Sequence, residues 1–231
     1  MPNIKVIIPA YNEAESIPLV VKDIPSIVDE IIVVSNNSTD NTETNAQKAG
    51  ATVLVEHQKG YGHACLKGME YIASFDFTER PDIVVFLDGD YSDYPEELTK
   101  IIQPILEENI DFVIGARVKE LREEGSMTEP QIFGNWLATS LMKLFFRSTF
   151  TDLGPFRAIK YEKLLGLNME DKTYGWTVEM QLKALKQKLS YKEIPVNYRN
   201  RIGVSKVSGT IKGAIFAGVK ILTWIFKYSF K

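Results

Sequence analysis

Two carboxylates, Asp88 and Asp90, end the apolar run Val84-Val85-Phe86-Leu87, with only Gly89 between them. A run this short and this apolar reads as a strand buried on both faces, and in open α/β sheets ligands gather at the strands' carboxyl ends. The pair therefore stands at the rim of a cleft. There a hard divalent cation takes one or two carboxylates together with the oxygens of a substrate phosphate. Alone, Asp-Gly-Asp is equally a strand-to-helix turn, its Asp capping the helix that Pro95-Glu96-Glu97 begins. Three further polar clusters end apolar runs in the same half of the chain: Pro9-Ala10-Tyr11-Asn12-Glu13, Ser35-Asn36-Asn37-Ser38-Thr39-Asp40, and Gly60-Tyr61-Gly62-His63. Any one of them is explained as a turn. All four on one rim make a pocket of nucleotide size.

The elements that must carry these clusters follow from the periodicity. Strands are expected at Ile4–Ile8, Ile31–Val34, Thr52–Val55, Ile83–Leu87 and Phe112–Ile114, and helices near 14–24, 40–49, 63–75 and 95–107. That alternation is an α/β pattern, a mostly parallel sheet flanked by helices. Val118–Pro130, rich in charge, reads as a mobile loop. An apolar-faced helix over 133–146, a helix near 174–187, a strand near 190–196 and a last helix from about 208 complete the reading.

With 231 residues, 45% of them hydrophobic, the chain can bury one large core. A net charge of −3 gives no pull toward nucleic acid. The charge is uneven, however. Beyond Glu193 there is no acidic residue, while Arg199, Arg201, Lys206, Lys212, Lys220, Lys227 and Lys231 are all basic, as expected of a segment with an anionic partner. The lone Cys65 excludes an intrachain disulfide and fits a reducing compartment. No charged-then-apolar leader opens the sequence and no apolar run is long enough to span a bilayer, so a cytoplasmic protein is expected. His57 and His63 lack metal-ligand spacing.

In order, Pro9–Glu13, Asn37-Ser38-Thr39-Asp40, Gly60-Tyr61-Gly62 and Asp88-Gly89-Asp90 resemble an inverting family 2 glycosyltransferase with the GT-A (Rossmann-like) fold. Gly115-Ala116-Arg117, Asp152-Leu153-Gly154-Pro155-Phe156-Arg157 and Arg201-Ile202-Gly203-Val204-Ser205-Lys206 are similar to the branch of dolichyl- and polyprenyl-phosphate mannose and glucose synthases. The resemblance covers about residues 3–210. It implies metal-dependent transfer of a hexose from a nucleotide diphosphate-sugar to a polyprenyl phosphate, with UDP-glucose favoured over GDP-mannose. Pro9, Tyr11, Glu13, Asn36, Asp40, Gly60, Gly62, Asp88, Asp90 and Glu179 would bind the nucleotide-sugar. Asp88, Asp90 and Ser92 would hold Mg2+ or Mn2+. Ser35 and Asn36 stand where the family usually has acidic residues, which leaves the base open. Arg117, Arg201, Ser205 and Lys206 are suited to gripping the acceptor phosphate. Asp152, with Arg117, Arg201 and Lys206, completes the candidate catalytic set, as acceptor-orienting group or base. A phosphate monoester, already an anion, needs little help from a base. A saccharide hydroxyl would need Glu179 or Asp152 for that purpose. The remaining alternative is a non-catalytic protein that binds nucleotide-sugar or membrane.

On a helical wheel of 210–231, Lys212, Lys220, Thr223, Lys227 and Lys231 fall within an arc of about 100°, and nearly all the rest is apolar. A narrow lysine stripe on a wide apolar face is the pattern of a helix lying on an anionic bilayer. The alternative is a helix packed on the domain or a second subunit. The expected organisation is thus a GT-A domain over 1–207 and an amphipathic, membrane-interfacial helix over 208–231. The enzyme would sit peripherally on the inner face of the cell membrane, with an oligomer left open. Removing the helix is expected to spare donor binding, because the donor pocket comes from strand ends before residue 118.

Overall fold

A computed structural model of the chain describes residues 2–203 and 211–229. Seven strands form one sheet: β1 (Ile4–Ala10), β2 (Glu30–Ser35), β3 (Thr52–Val55), β4 (Ile83–Phe86), β5 (Phe112–Ala116), β6 (Arg157–Lys160) and β7 (Tyr191–Pro195), in the order β3-β2-β1-β4-β6-β5-β7. β1 pairs in parallel with both β2 and β4, so the chain reverses its direction of travel across the sheet between β1 and β4. That switch point opens a crevice beside the carboxyl ends of the two strands. Every residue of β1 and of β4 is buried, as expected of strands covered on both faces.

Helices α1 (Ile17–Asp23), α2 (Thr42–Lys48) and α4 (Leu98–Glu107) cover one face, around Ile8, Val33 and Leu98. Helices α3 (Tyr61–Ala73), α5 (Glu129–Phe146), α6 (Tyr161–Leu167), α7 (Trp176–Lys186) and α8 (Ile211–Ser229) cover the other. In that second core Phe86 meets Trp176 edge-on, ring centres 5.8 Å apart, an arrangement that adds to the burial of both rings.

Three features depart from the sequence reading. β6 and α6 were not anticipated, and β6 runs antiparallel to both of its neighbours, making the sheet mixed. The segment before α5 is anchored: Glu123 N–H donates to Tyr198 O at 2.8 Å, and Asn200 N–H donates to the Glu123 carboxylate at 2.8 Å. α5 then starts at Glu129, where Thr128 and Gln131 form a capping box that satisfies orphan donors of the first turn. Finally, α8 is docked on α5 and α7, with Ile225 fully buried and Trp224 6% exposed in the second core. Lys220 pairs with Asp171 at 3.0 Å and Lys227 with Glu170 at 3.5 Å, so these members of the lysine stripe face acidic groups of the domain.

Candidate active site

The carboxyl ends of β1, β2 and β4 and the start of α3 open on a cleft of about 510 Å³, a size typical of small-molecule sites. Pro9 enters it from the end of β1, Tyr11 and Glu13 from the loop after β1, and Asn36 from the loop after β2. Gly60 and Tyr61 enter at the start of α3, and Asp88 and Asp90 just beyond β4. Arg117, after β5, and Arg201, after β7, also line it. The structure thus brings together residues up to 192 positions apart that the sequence analysis had grouped by chemistry.

The Asp pair carries the electrostatics. Asp88 is half-buried and accepts a hydrogen bond from Tyr61 Oη at 3.0 Å. Burial first, and the neighbouring Asp90 second, push its carboxyl up to about 7, against the opposing effects of Tyr61, Arg201 and Arg117. Arg201 Nη2 lies 3.1 Å from Asp90 Oδ2 and 3.2 Å from Glu13 Oε1. A guanidinium drawn between two carboxylates, beside a third held partly neutral, marks a place that favours a cation. Asp88 and Asp90 therefore fit Mg2+ or Mn2+. Among the described residues no cluster of three or more His, Cys, Asp or Glu forms a closed metal cage. That suits a cation whose other ligands are diphosphate oxygens and water.

A testable consequence concerns pH. Because Asp88 titrates higher in the folded protein than in the unfolded chain, the native state binds more protons between the two values, and stability falls as pH rises through about 7. Asp88→Asn removes the penalty while keeping an acceptor for Tyr61. Without metal at about pH 8 the variant should melt higher than the wild type, on the order of 2–4 °C per kcal/mol relieved, and the gain should shrink near pH 5. Thermal melts at the two pH values check this. An equal shift at both would contradict it.

Other residues expected in the site stand behind it. Ser92 donates both N–H (2.9 Å) and Oγ–H to Asp90 Oδ1, so it orients that carboxylate and does not line the cleft. Asp40 accepts from Thr42 and, at 3.1 Å, from Ala14 N–H, tying the loop after β2 to the loop after β1. Asn36 does reach the cleft, but its amide donates to Glu56 O (3.2 Å) and Gln58 O (2.7 Å) and accepts from Gly60 N–H (2.7 Å). Both its donors are committed to loop geometry, so the expected nucleotide-sugar contact would have to come from elsewhere on the residue. Gly62 faces the chain behind: a β-carbon there would lie 2.0 Å from Asp171 O, so no larger residue fits without moving that backbone.

The two candidate bases are also withdrawn. Asp152 is 3% exposed and grips Arg117 in bidentate fashion, with Nε–Oδ2 and Nη2–Oδ1 both 2.7 Å. Burial would raise its carboxyl, but Arg117's charge and hydrogen bonds override this and hold it below the ordinary carboxylate range. Glu179 is fully buried, accepting from Glu170 N–H (2.8 Å) and Asp171 N–H (2.7 Å) and pairing with Lys183 at 2.8 Å. Neither lines the cleft. Ser205 and Lys206 lie outside the described residues.

Three contributors escaped the sequence reading. Tyr61 sits inside a motif noted for its glycines, yet its hydroxyl is what touches Asp88. Asp93 is 1% exposed, and neither of its oxygens has a hydrogen-bond partner among the described residues. Burial, then Asp88 and Asp90, push its carboxyl well above the usual range. Arg199 stacks 3.5 Å from the centre of the Tyr91 ring and 4.0 Å from that of Tyr94, and donates to Tyr91 O at 2.8 Å. It fastens the strand-end carboxylates to the segment carrying Arg201. An Asp-x-Asp followed closely by a third Asp was the available signal for Asp93; the aromatic clamp had none.

The family model for glycosyl transferase family 2 matches residues 5–165. The chain belongs to glycosyltransferase family 2. It is 30% identical to an undecaprenyl-phosphate mannosyltransferase of Micrococcus luteus, with 94% of this chain and 92% of that protein covered. It is 27% identical to a polyprenol monophosphomannose synthase of Mycolicibacterium smegmatis, over 95% and 85% of the two chains. Among solved structures, glucosyl-3-phosphoglycerate synthase from Mycobacterium tuberculosis, in complex with Mn2+, UDP and phosphoglyceric acid, superposes with a TM-score of 0.77. At 22% identity, covering 99% of this chain and 78% of that one, it establishes a shared GT-A architecture. The mixed sheet and flanking helices of this transferase are thus those of its family.

Proposed function

We propose that this glycosyltransferase moves a hexose from a nucleotide diphosphate-sugar to a polyprenyl phosphate at a membrane surface. The observation that carries the acceptor class is the state of the two candidate bases. A hydroxyl acceptor needs a carboxylate free to take its proton. Asp152 is locked on Arg117 and Glu179 on backbone N–H groups, and neither reaches the cleft. A phosphate acceptor needs no such base. It needs positive charge, and Arg117 and Arg201 line the cleft to supply it. Pro9, Tyr11 and Glu13 would hold the nucleoside, and Asp88 and Asp90 the divalent cation. When bound, that cation offsets the charge growing on the departing nucleoside diphosphate.

On this reading the acceptor's tail would follow the cleft outward. The cleft continues between α5 and α8, past Pro130 and Gly134 on one side and Ala217, Gly218 and Ile221 on the other. The same two helices carry exposed apolar side chains elsewhere on their surfaces: Phe133, Trp136 and Leu144 of α5, and Phe216, Val219 and Phe226 of α8. Aromatic rings at this position suit the interfacial region of a bilayer. No helix among the described residues is long and apolar enough to cross a membrane, so attachment through this face would be peripheral.

Relatives named for mannosyl transfer and structural neighbours solved with UDP point to different donors, so both deserve trial. Labelled UDP-glucose and GDP-mannose are each incubated with the enzyme, Mg2+ or Mn2+, and either undecaprenyl phosphate in mixed micelles or a soluble saccharide. Label entering the lipid fraction with one donor is the expected result. Label entering only the saccharide would support the hydroxyl acceptor and overturn this reading. A vesicle series provides a further check: binding should weaken when Phe133, Trp136 and Phe226 are replaced by Ser, while nucleotide binding persists.

A further inference from the structure

The donor pocket and the C-terminal helix meet at one buried carboxylate. Asp171, 2% exposed, lies in the segment between α6 and α7. Its Oδ1 accepts from Thr173 N–H (2.7 Å) and Gly175 N–H (3.0 Å), closing that segment into a compact turn. Its Oδ2 accepts from Trp224 Nε1 at 2.6 Å and pairs with Lys220 at 3.0 Å, both from α8. The indole lies so close that a β-carbon on Gly175 would fall 2.5 Å from it. Burial alone would raise the Asp171 carboxyl, yet these donors together hold it below its ordinary value, as expected of an ionised group with every oxygen satisfied.

The same turn reaches the donor pocket from its other side. The carbonyls of Lys172 and Thr173 accept from His63 N–H (3.1 Å) and Gly62 N–H (3.2 Å). These are first-turn amides of α3, which have no partner within their own helix. The helix start they fix carries Tyr61, whose hydroxyl holds Asp88. Contacts are thus continuous from α8 through Asp171 and the 171–175 turn to Gly62, Tyr61 and Asp88. Glu179 supports the turn from below through the N–H groups of Glu170 and Asp171.

We propose that Asp171 is a positioning residue that transmits the docking of α8 to the donor pocket, so that the C-terminal helix sets affinity for the nucleotide-sugar. The inference rests on the glycosyltransferase reading of the cleft. It reverses the simplest expectation for this helix, that its removal would leave donor binding alone.

The test uses the full chain and four variants: Asp171→Asn, Trp224→Phe, Lys220→Met, and Thr223→Ala on an exposed position of α8 as control. Binding of UDP and of GDP, each with Mn2+, is measured by calorimetry, and kcat and KM are measured for the donor that is used. Asp171→Asn and Trp224→Phe should weaken nucleotide binding and raise donor KM by roughly tenfold, the scale of a lost hydrogen bond to a charged group. Lys220→Met should act in the same direction. All constants of Thr223→Ala should stay at wild-type values. A purely structural role would lower the melting temperature and the active fraction without moving donor KM, and that outcome overturns the inference. Trp224→Phe keeps the ring packed and removes one donor, so it decides the matter if Asp171→Asn does not fold. A wild type that binds neither nucleotide would overturn the donor reading and this inference together. A wild type that binds one of them with unchanged Asp171→Asn and Trp224→Phe affinities would overturn the inference alone.

Discussion

Asp90→Asn should abolish metal-dependent transfer, lowering kcat by about 10²–10³, with the dependence of rate on Mn2+ concentration flattened. The magnitude follows from the role: a cation compensating charge on a leaving diphosphate contributes several kcal/mol to the transition state, and each 1.36 kcal/mol is tenfold in rate. Asp90 is 5% exposed and its orientation is fixed by Ser92 N–H and Oγ, so the amide should adopt the same rotamer and the fold should persist. The loss would then be one of chemistry, visible in initial rates across a Mn2+ series and in calorimetric titration with Mn2+ and nucleotide. A variant with wild-type rates would remove Asp90 from the cation site. Ser92→Ala should reproduce part of the effect, because it frees the carboxylate without removing it.

The largest expected effect on stability is at Asp152. Asp152→Ala leaves the Arg117 guanidinium buried without its counter-charge, and breaking such a pair costs about 3–5 kcal/mol. Denaturant unfolding should register a loss of that order. The double variant Arg117→Met with Asp152→Ala should recover much of it, since a pair removed whole leaves no stranded charge. The pH dependence has a definite sign. A carboxyl held below its unfolded value stabilises the fold above the unfolded value, near 4, and this contribution is lost as pH falls through the lower, folded value. The gap between wild type and Asp152→Ala should therefore stay constant from about pH 5 to 8 and close only in stronger acid. A gap that closed near neutrality would contradict the ion-paired state of Asp152 and restore it as a candidate base.

How far the sequence revealed the site depended on the kind of feature. β4 is an unbroken apolar run and β1 is apolar but for Lys5, so both read as strands, and the polar residues that follow them lie at the switch point. Asp88, Asp90 and Glu13 were found that way, whereas Arg201 came from the ordered motifs that carry the family resemblance. β6 was not. It is four residues long, begins with Arg157 and ends with Lys160, and that pattern resembles a surface turn. Only the fold explains its burial: the Arg157 side chain is fully enclosed and donates to the carbonyls of Gly154 and Thr177. Glu179 misled for a related reason. The family resemblance put it in the site, whereas its partners are the backbone N–H groups of Glu170 and Asp171 and the Lys183 ammonium, contacts that no motif displays. The α8 stripe shows the same limit: periodicity correctly put Lys220 and Lys227 on one face, but could not show that Asp171 and Glu170 lie opposite.

In the proposed reaction the acceptor nucleophile is a phosphate oxygen of a lipid monoester. The most direct measurement is the 31P spectrum of undecaprenyl phosphate in micelles, followed after adding the enzyme, Mg2+ and the donor that binds, whether UDP-glucose or GDP-mannose. The monoester resonance should be replaced by a glycosyl phosphodiester resonance as nucleoside diphosphate is released, and neither change should occur with Asp90→Asn. Release of nucleoside diphosphate with the monoester resonance intact, the sugar appearing on water or on a saccharide hydroxyl, would contradict it.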